Sequence, residues 1–339
     1  MSSTQLYCDV VIPHAPQDEL TYTLGALETE RIQPGDSVLV MLRGRPAVGI
    51  VFGLRESSPV RRTLPVSRLV TKALLTDELL DLVRWLAKDY CSRLGVALGR
   101  LLPRGVEHMD SVVRPQLPVP DKFLPQGVWV LDRMRRRYES VVNQISASIT
   151  RGSVLLLLPQ EELARWLSLL RERFSALLVE YHSRLRLAKL RQAWTEIRWS
   201  RCRLVVGVRS AVLAPAADLA GIIMVDEHNP GYKEERQPRF HSRDVAVWRA
   251  NRAGCPLLIF DRTPSLETWS QLRAGVYQML ETLGQRETRP NVFVVDMRRH
   301  RGELFSPRLL GDKALKMIYA AESLHEGATT RNVPVPEDE

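Results

Sequence analysis

Two adjacent carboxylates, Asp226 and Glu227, directly follow the apolar run Ile222–Val225. A short apolar run of this kind is typical of a buried parallel strand, whose carboxyl end would bring both acids to the edge of a sheet. Carboxylates in that position can hold Mg²⁺ and polarise a water molecule for nucleotide hydrolysis. The chemistry also requires a cradle for the phosphates, which must come from another part of the chain.

The phosphate-binding pattern Gly-x-x-x-x-Gly-Lys-Ser/Thr does not occur in this sequence. In such a loop the glycines let backbone N–H groups close around the phosphates, and the lysine reaches the outer ones. Only seven lysines are present, and none follows a glycine or precedes a serine or threonine. The segment before the predicted strand 153–159, where the loop would lie, has no glycine between Gly127 and Gly152. Its arginine run RMRRRY could attract an anion, but the sequence predicts no geometry for nucleotide cleavage.

The basic charge is concentrated in one part of the chain. The 339 residues carry a net charge of +9, and residues 130–210 alone contain 16 basic against 7 acidic side chains. Only 7 of the 48 basic residues are lysines, and arginine forks suit phosphate oxygens and stack on bases. The pattern indicates either a nucleic-acid-binding surface or a solvated basic face, and charge alone leaves both open.

The sequence lacks the features of membrane proteins and of disulfide or zinc scaffolds. No apolar run approaches the roughly 18 residues that span a bilayer, and the N-terminal MSSTQLYCDV does not have the pattern of a secretory signal. The four cysteines, at 8, 91, 202 and 255, include no pair at C-x-x-C spacing. We therefore expect a cytoplasmic protein with reduced, structural thiols and no metal site.

The distribution of periodic segments predicts an α/β protein in two parts. Short β segments over 5–54 indicate a small barrel or curled sheet, and 76–91 has helical period with Thr76 or Asp77 as the N-cap. Beyond the four prolines of 113–126, apolar runs alternate with helical segments, which is typical of a parallel sheet covered on both faces. We predict a β domain with a helical extension at 1–112, a linker at 113–126, a parallel-sheet lobe at 127–310 and a disordered tail at 311–339.

A specific family resemblance comes from several sequence blocks that occur in order. Residues 180–250 contain EYHSRLRLAKLRQAWTEI, RLVVGVRSAVLAP, IIMVDEHNPGYKEE and PRFHSRDVAVWRA, and the N-terminal part contains IPHAPQDELTYTL, PGDSVLVMLRGRPAVGIV and LAKDYCSRLGVALGRLLP. Together they resemble the primosomal replication-restart helicase family (primosomal protein N′, PriA), bacterial superfamily 2 proteins that reopen stalled forks. The resemblance implies a 3′-DNA-end-binding β domain followed by one RecA-like helicase lobe, in a nucleoid-associated bacterial protein.

The family uses ATP, Mg²⁺ and Zn²⁺, but this chain departs from the family at the residues concerned. Asp226 and Glu227 match the Mg²⁺-binding and water-activating acids, whereas His228-Asn229 replace Glu-His and Asp261-Arg262 replace the Ser-Ala expected before Thr263. The lysine-bearing loop is missing, and we expect the second lobe and the zinc-binding cysteines to be absent. The resemblance therefore predicts a remnant of a Mg²⁺ site, with a partly retained site as the alternative, and no bound cofactor.

The resemblance also implies a set of DNA-binding residues. In the family's pocket for a 3′-terminal nucleotide, Leu20 replaces a stacking aromatic residue, Thr21 an aspartate and Arg68 a lysine. Arg209 belongs to a DNA-contacting motif, and the alternative is a local ion pair between Arg209 and a carboxylate. The predicted DNA-binding residues are Leu20, Thr21, Tyr22, Gly44, Arg45, Arg68, Arg209 and Ser210.

These observations predict a replication-restart protein that binds forked or single-stranded DNA, including a 3′ end, without ATPase or helicase activity. Such a protein would act as a scaffold for other primosome proteins and would have no membrane partner. The alternative is an ATP-dependent 3′-to-5′ translocase whose second lobe comes from a separate chain. A third possibility is a degraded gene product with no role on DNA.

Overall fold

Two β-sheets organise the residues that the computed structural model describes, which are 6–25, 32–106, 127–131 and 134–283. The first sheet is antiparallel and the second is parallel, with helices on its faces. The predicted α/β fold class is therefore confirmed, with a small mainly-β part preceding a parallel-sheet lobe. The predicted linker at 113–126 and tail at 311–339 lie outside the described residues.

The first sheet has five strands in the order β2-β1-β4-β3-β5. Its two outer strands are connected, because Thr23 of β2 exchanges backbone hydrogen bonds with Leu64 and Val66, just before β5. The sheet is thus curled, as the sequence predicts, and the pattern missed only its last strand. The strands are β1 (Leu6–Val11), β2 (Leu20–Leu24), β3 (Ser37–Leu42), β4 (Arg45–Arg55) and β5 (Arg68–Thr71).

A helical pair follows the first sheet. Helix α1 (Asp77–Asp89) begins where the sequence predicts, because the Thr76 hydroxyl accepts a hydrogen bond of 3.3 Å from the Leu79 N–H. Helix α2 (Leu94–Leu101) follows after a short turn, and the Asp18 carboxylate accepts from the N–H of Leu94 at 3.0 Å. The loop between β1 and β2 is therefore attached to the start of α2.

The second sheet has seven parallel strands in the order β12-β6-β11-β10-β7-β9-β8. The apolar runs in the sequence predict five of these strands, all except β6 and β12. The strands are β6 (Gly127–Leu131), β7 (Ser153–Leu157), β8 (Leu178–Glu180), β9 (Leu204–Gly207), β10 (Leu219–Val225), β11 (Leu257–Asp261) and β12 (Gln278–Leu283). The helices are α3 (Met134–Ser148), α4 (Leu163–Phe174), α5 (Leu187–Arg198), α6 (Ser242–Ala253) and α7 (Leu266–Arg273).

Alternate residues of the central strands enter two different cores, as the strand period requires. In β10, Ile222 and Met224 pack with α5 and α6, whereas Ile223 and Val225 pack with α3 and α4. The first of these cores also contains Phe52 of the curled sheet and the buried leucines of α1 and α2. The helical pair and the parallel sheet therefore share one hydrophobic core.

A fully buried arginine joins the two halves at this shared core. The Arg249 guanidinium on α6 pairs with Glu78 of α1, with Nε 2.8 Å from Oε1. It also donates to the carbonyl oxygens of Val212 and Ala214, both at 2.8 Å. Nearby, Trp85 of α1 stacks on Trp248 of α6 with ring centroids 5.6 Å apart. These contacts fix the helical pair on the parallel sheet.

Among the described residues, no helix has the length and apolar composition needed to cross a membrane.

We predict that Arg249→Ala lowers the free energy of unfolding by roughly 3–5 kcal/mol, because the change leaves Glu78 and buried carbonyl groups unpaired. The matched control is Arg252→Ala on the same helix, which removes an ion pair with Asp81 that is exposed on both sides. An exposed pair contributes about 0–1 kcal/mol. Chemical denaturation of both variants measures the difference, and equal losses would contradict the role assigned to Arg249.

Candidate acidic site and nucleic-acid interface

The predicted acid pair lies at the carboxyl end of β10, as the sequence indicates. The Asp226 N–H donates to the Phe260 carbonyl oxygen of the adjacent strand β11 at 2.9 Å, which extends the parallel pairing by one residue. Asp226 has φ +50°, and its carbonyl oxygen accepts from Asn229 N–H at 2.9 Å. The chain therefore turns sharply at Asp226, and its side chain and that of Glu227 point into different surroundings.

Glu227 is fully buried and held by three hydrogen bonds. Its carboxylate accepts from Arg243 Nη1 at 2.5 Å, from the Ser265 hydroxyl at 2.6 Å and from the Ser265 N–H at 3.2 Å. Burial pushes the pKa of Glu227 up, but the bonds from Ser265 and Arg243 outweigh it, so the pKa lies below its ordinary value. The position that matches the water-activating acid is thus an ionised carboxylate paired inside the protein.

Two positions where the chain departs from the family are in contact with each other. The His228 Nδ1 lies 2.9 Å from both carboxylate oxygens of Asp261, at the end of β11. Asp261 is fully buried and also accepts from the Thr263 N–H at 2.9 Å, whereas 46% of the His228 side chain is exposed. The hydrogen bond with Asp261 raises the pKa of His228, and the nearby charges of Asp226 and Glu227 raise it further.

The strand-to-helix connection where a phosphate loop would lie is short. Strand β6 ends at Leu131 and α3 begins at Met134, so two residues connect them. The Gly-x-x-x-x-Gly-Lys pattern has four residues between its two glycines alone, and the loop that it forms cradles the phosphates with backbone N–H groups. In the sheet order, β6 is separated from the acid-bearing β10 by β11 alone. The described backbone thus has the strand, the helix and the neighbouring acids, and the sequence between the strand and the helix contains neither glycine nor lysine.

Arg209, a predicted DNA-binding residue, contacts the segment that follows the acid pair. Its Nη1 donates to the carbonyl oxygens of Lys233 at 2.7 Å and Gly231 at 3.1 Å, and its Nε lies 3.2 Å from the Glu234 carboxylate. The local ion pair considered as the alternative is therefore present. Its side chain is still about one-third exposed, so these contacts leave part of it accessible.

Ser210 lines a groove of about 200 Å³ at the same edge of the sheet, together with Arg184 and Glu161. Its hydroxyl is buried, and within the described part of the chain it has no hydrogen-bond partner. The groove thus brings Ser210 and Arg209 together with the loop after β10. A role of the pair in DNA contact stays a prediction.

The predicted residues on β2 make contacts inside the first sheet. The Thr21 hydroxyl donates to Asp9 of β1 at 2.9 Å, and Asp9 is also paired with Arg55 of β4. No local sequence pattern indicates the Asp9–Arg55 pair, because the two residues are far apart in the chain. Tyr22 is buried, and its hydroxyl donates to the Met41 carbonyl oxygen of β3 at 3.1 Å. An aspartate carboxylate therefore lies beside Thr21, supplied by the neighbouring strand.

The other predicted DNA-binding residues of the first sheet lie on β2, β4 and β5 and in the turn between β3 and β4. Gly44 has φ +77° in the tight turn between β3 and β4, a conformation that glycine adopts without strain. Arg45 and Arg68 are exposed, and Leu20 is half-buried. Arg68 and Arg45 both lie on strands that pair with β3, at Leu39 and Leu42. The two exposed arginines therefore lie on the two strands that flank β3, and their partners Leu39 and Leu42 face opposite sides of the sheet.

Comparison with known proteins connects this architecture to replication restart. The model of the PriA 3′DNA-binding domain (3′BD) matches residues 9–103. Replication restart protein PriA of Bacillus subtilis is 34% identical over 164 residues, which cover 47% of this chain and 20% of that protein. PriA of Treponema pallidum is 28% identical over 329 residues, which cover 86% of this chain and 49% of that protein. The chain therefore resembles PriA proteins along most of its length, and residues 9–103 match their 3′DNA-binding domain.

The chain spans about half the length of the PriA relatives that it matches along most of its own length. Solved structures with detectable likeness include the Hef helicase domain of Pyrococcus furiosus, 14% identical with a TM-score of 0.35 over 46% of this chain and 34% of that chain. Helicase Lhr of Mycobacterium smegmatis, bound to ssDNA and AMP-PNP, is 18% identical with a TM-score of 0.33 over 55% and 26%. Likenesses at these scores carry no functional weight.

We predict that Arg243→Leu lowers the free energy of unfolding by roughly 3 kcal/mol, because it leaves the buried Glu227 carboxylate without its cation. Adding Glu227→Gln to this variant removes the unpaired charge, so the double variant should be more stable than Arg243→Leu alone. Denaturant titration of the single and double variants measures this. The control Arg262→Leu changes an exposed neighbouring arginine and should have little effect. A double variant less stable than Arg243→Leu would show that the pairing is not the source of the loss.

Proposed function

We propose that this PriA-family chain binds forked or single-stranded DNA during replication restart and does not hydrolyse ATP. The DNA-binding part of the proposal is supported by the match of residues 9–103 to the 3′DNA-binding domain of PriA. The exposed arginines Arg45 and Arg68 and the excess of basic residues in 130–210 are suited to phosphate contacts. A protein of this kind would hold DNA for other restart proteins.

The proposed absence of ATP hydrolysis rests on the connection between β6 and α3. Two residues, without glycine or lysine, replace the loop that would surround the phosphates of ATP. The described residues therefore do not fit a Mg²⁺–triphosphate complex. The contacts of Glu227 add to this, because a carboxylate bound to Arg243 and Ser265 is not available to activate water. No step of hydrolysis is assigned to these residues.

We predict that the purified protein does not turn over ATP when forked or single-stranded DNA is added. The reason is that hydrolysis requires a bound triphosphate before any acid can act on water. A coupled assay for released phosphate measures the rate, with Asp226→Asn as the matched variant. Turnover that requires DNA and disappears in Asp226→Asn would overturn the proposal. Such a result would favour the alternative, a translocase whose second lobe is supplied separately.

We predict that forked DNA binds with an affinity that falls steeply as salt increases, because phosphate contacts release counterions from the DNA. Changing Arg45 and Arg68 together to alanine should weaken binding about tenfold and reduce the slope of the salt dependence. The matched control is Arg273→Ala, which removes an exposed arginine from α7, outside both the curled sheet and the basic segment 130–210. Fluorescence anisotropy with labelled forks measures both effects.

A comparison of 3′-hydroxyl with 3′-phosphate ends in the same assay tests whether the terminal pocket works. Stronger binding of the hydroxyl end, lost in the double arginine variant, would support a specific 3′-end site. A response to salt that is flat for every DNA would contradict DNA binding altogether and favour a chain without a role on DNA.

A further inference from the structure

Three metal-ligating side chains converge at the carboxyl ends of β10 and β11. Asp226, His228 and Asp261 each offer one ligand atom, and these atoms all lie within 4.8 Å of one another. The closest approach is 2.9 Å, between His228 Nδ1 and the Asp261 carboxylate. Two atoms that coordinate one metal ion at about 2.0–2.2 Å are at most about 4.4 Å apart, so small side-chain movements would bring all three ligand atoms onto one ion.

We propose that Asp226, His228 and Asp261 bind one divalent transition-metal ion, of which Zn²⁺ is the best match. The proposal does not depend on the absence of ATP hydrolysis or on DNA binding. It replaces the expectation from the sequence that this chain has no metal site. That expectation followed from the cysteine spacing and did not consider a site made of imidazole and carboxylates.

The donor set determines the class of ion. Oxygen donors alone suit Mg²⁺ and Ca²⁺, whereas an imidazole nitrogen among the ligands favours Zn²⁺ and its neighbours in the first transition row. Two carboxylates and one imidazole also make a charge of −2 when the imidazole is neutral, which balances a divalent cation. The exposed side of His228 leaves a direction open for water or another ligand, since 46% of that side chain is accessible.

This site differs from the Mg²⁺ site expected for an acid pair. Glu227, the second acid of the pair, is bound by Arg243 and Ser265 and is not among the three residues. The residues grouped with Asp226 are instead His228 and Asp261, and Asp261 lies at the end of the adjacent strand β11. Both of these residues depart from the family pattern, and they contact each other.

Backbone contacts hold the two strand ends in position for an ion. Asp226 is fixed by the hydrogen bond between its N–H and Phe260 O, which directly precedes Asp261 in the chain. The Thr263 N–H orients the Asp261 carboxylate at 2.9 Å. Outer contacts of this type orient metal ligands in known sites. A bound ion would therefore connect the ends of β10 and β11, and would raise the resistance of the protein to unfolding by mass action.

The test uses the full chain without a polyhistidine tag, treated with EDTA and then freed of chelator. Zn²⁺ is titrated in competition with a chromophoric chelator in millimolar Mg²⁺, and Co²⁺ is added separately to record its visible absorption. We expect one equivalent of Zn²⁺ to bind, a Co²⁺ spectrum that includes an imidazole ligand, and a rise in the melting temperature when Zn²⁺ is added.

The variants His228→Ala and Asp226→Asn should each weaken Zn²⁺ binding at least tenfold and abolish the rise in melting temperature. Matched controls are His14→Ala, an exposed imidazole in the loop between β1 and β2, and Glu161→Gln, an exposed carboxylate that accepts a hydrogen bond from Asn229. Both controls should bind Zn²⁺ like the unchanged protein. Circular dichroism establishes that each variant is folded before its affinity is interpreted.

Two results would overturn the proposal. One is binding of Zn²⁺ with the same affinity in His228→Ala, which would place the ion elsewhere in the chain. The other is displacement of Zn²⁺ by equal concentrations of Mg²⁺, which would indicate an oxygen-only site. Failure of DNA binding or the finding of ATP turnover would leave the Zn²⁺ result unaffected, so the two proposals fail separately.

Discussion

The buried Arg249 is the interaction on which the arrangement of this molecule depends. Its guanidinium reaches Glu78 on the helical pair and the carbonyl oxygens after β9 at the same time. A single charged group therefore satisfies acceptors from both halves inside a shared hydrophobic core. Without it, the carboxylate and the carbonyls would be left in a low-dielectric environment, where an unpaired polar group is costly. The curled sheet and the parallel sheet are held as one unit by this requirement.

The ends of the parallel strands bring together charged side chains that are distant in the chain. Parallel pairing brings the ends of β10 and β11 together, whatever side chains follow. In this chain, the residues that follow satisfy one another, with Glu227 bound to Arg243 and His228 bound to Asp261. Acids that must act on a substrate need unsatisfied capacity, and Glu227 has its carboxylate occupied by protein donors. The charges that remain grouped at the edge, on Asp226, His228 and Asp261, are suited to an ion.

Arginine has at least three different uses in this protein, which explains why charge alone left its role open. Arg198 is buried and donates to the carbonyl oxygens of Ala73 and Leu74, so it serves the junction between the halves. Arg209 holds the loop after β10 and keeps part of its surface accessible. Arg45 and Arg68 are exposed on the curled sheet. The planar guanidinium can serve each purpose because it offers five donors in a fixed geometry. A net positive charge therefore overestimates the surface available to a nucleic acid.

The sequence by itself determined the local elements of this protein, the position of the acid pair at a strand end, and the absence of a glycine- and lysine-bearing loop. These follow from residue spacing, since apolar period and turn chemistry act over a few neighbours, as at Thr76 and in Ile222–Val225. Only the tertiary structure decided which partners those residues have. Arg243 lies 16 residues beyond Glu227, and Glu78 lies 171 residues from Arg249. No local pattern marks such pairs, because they depend on how helices pack on the sheet. The meeting of His228 and Asp261 has the same origin, since adjacent parallel strands bring together residues that are distant in the chain.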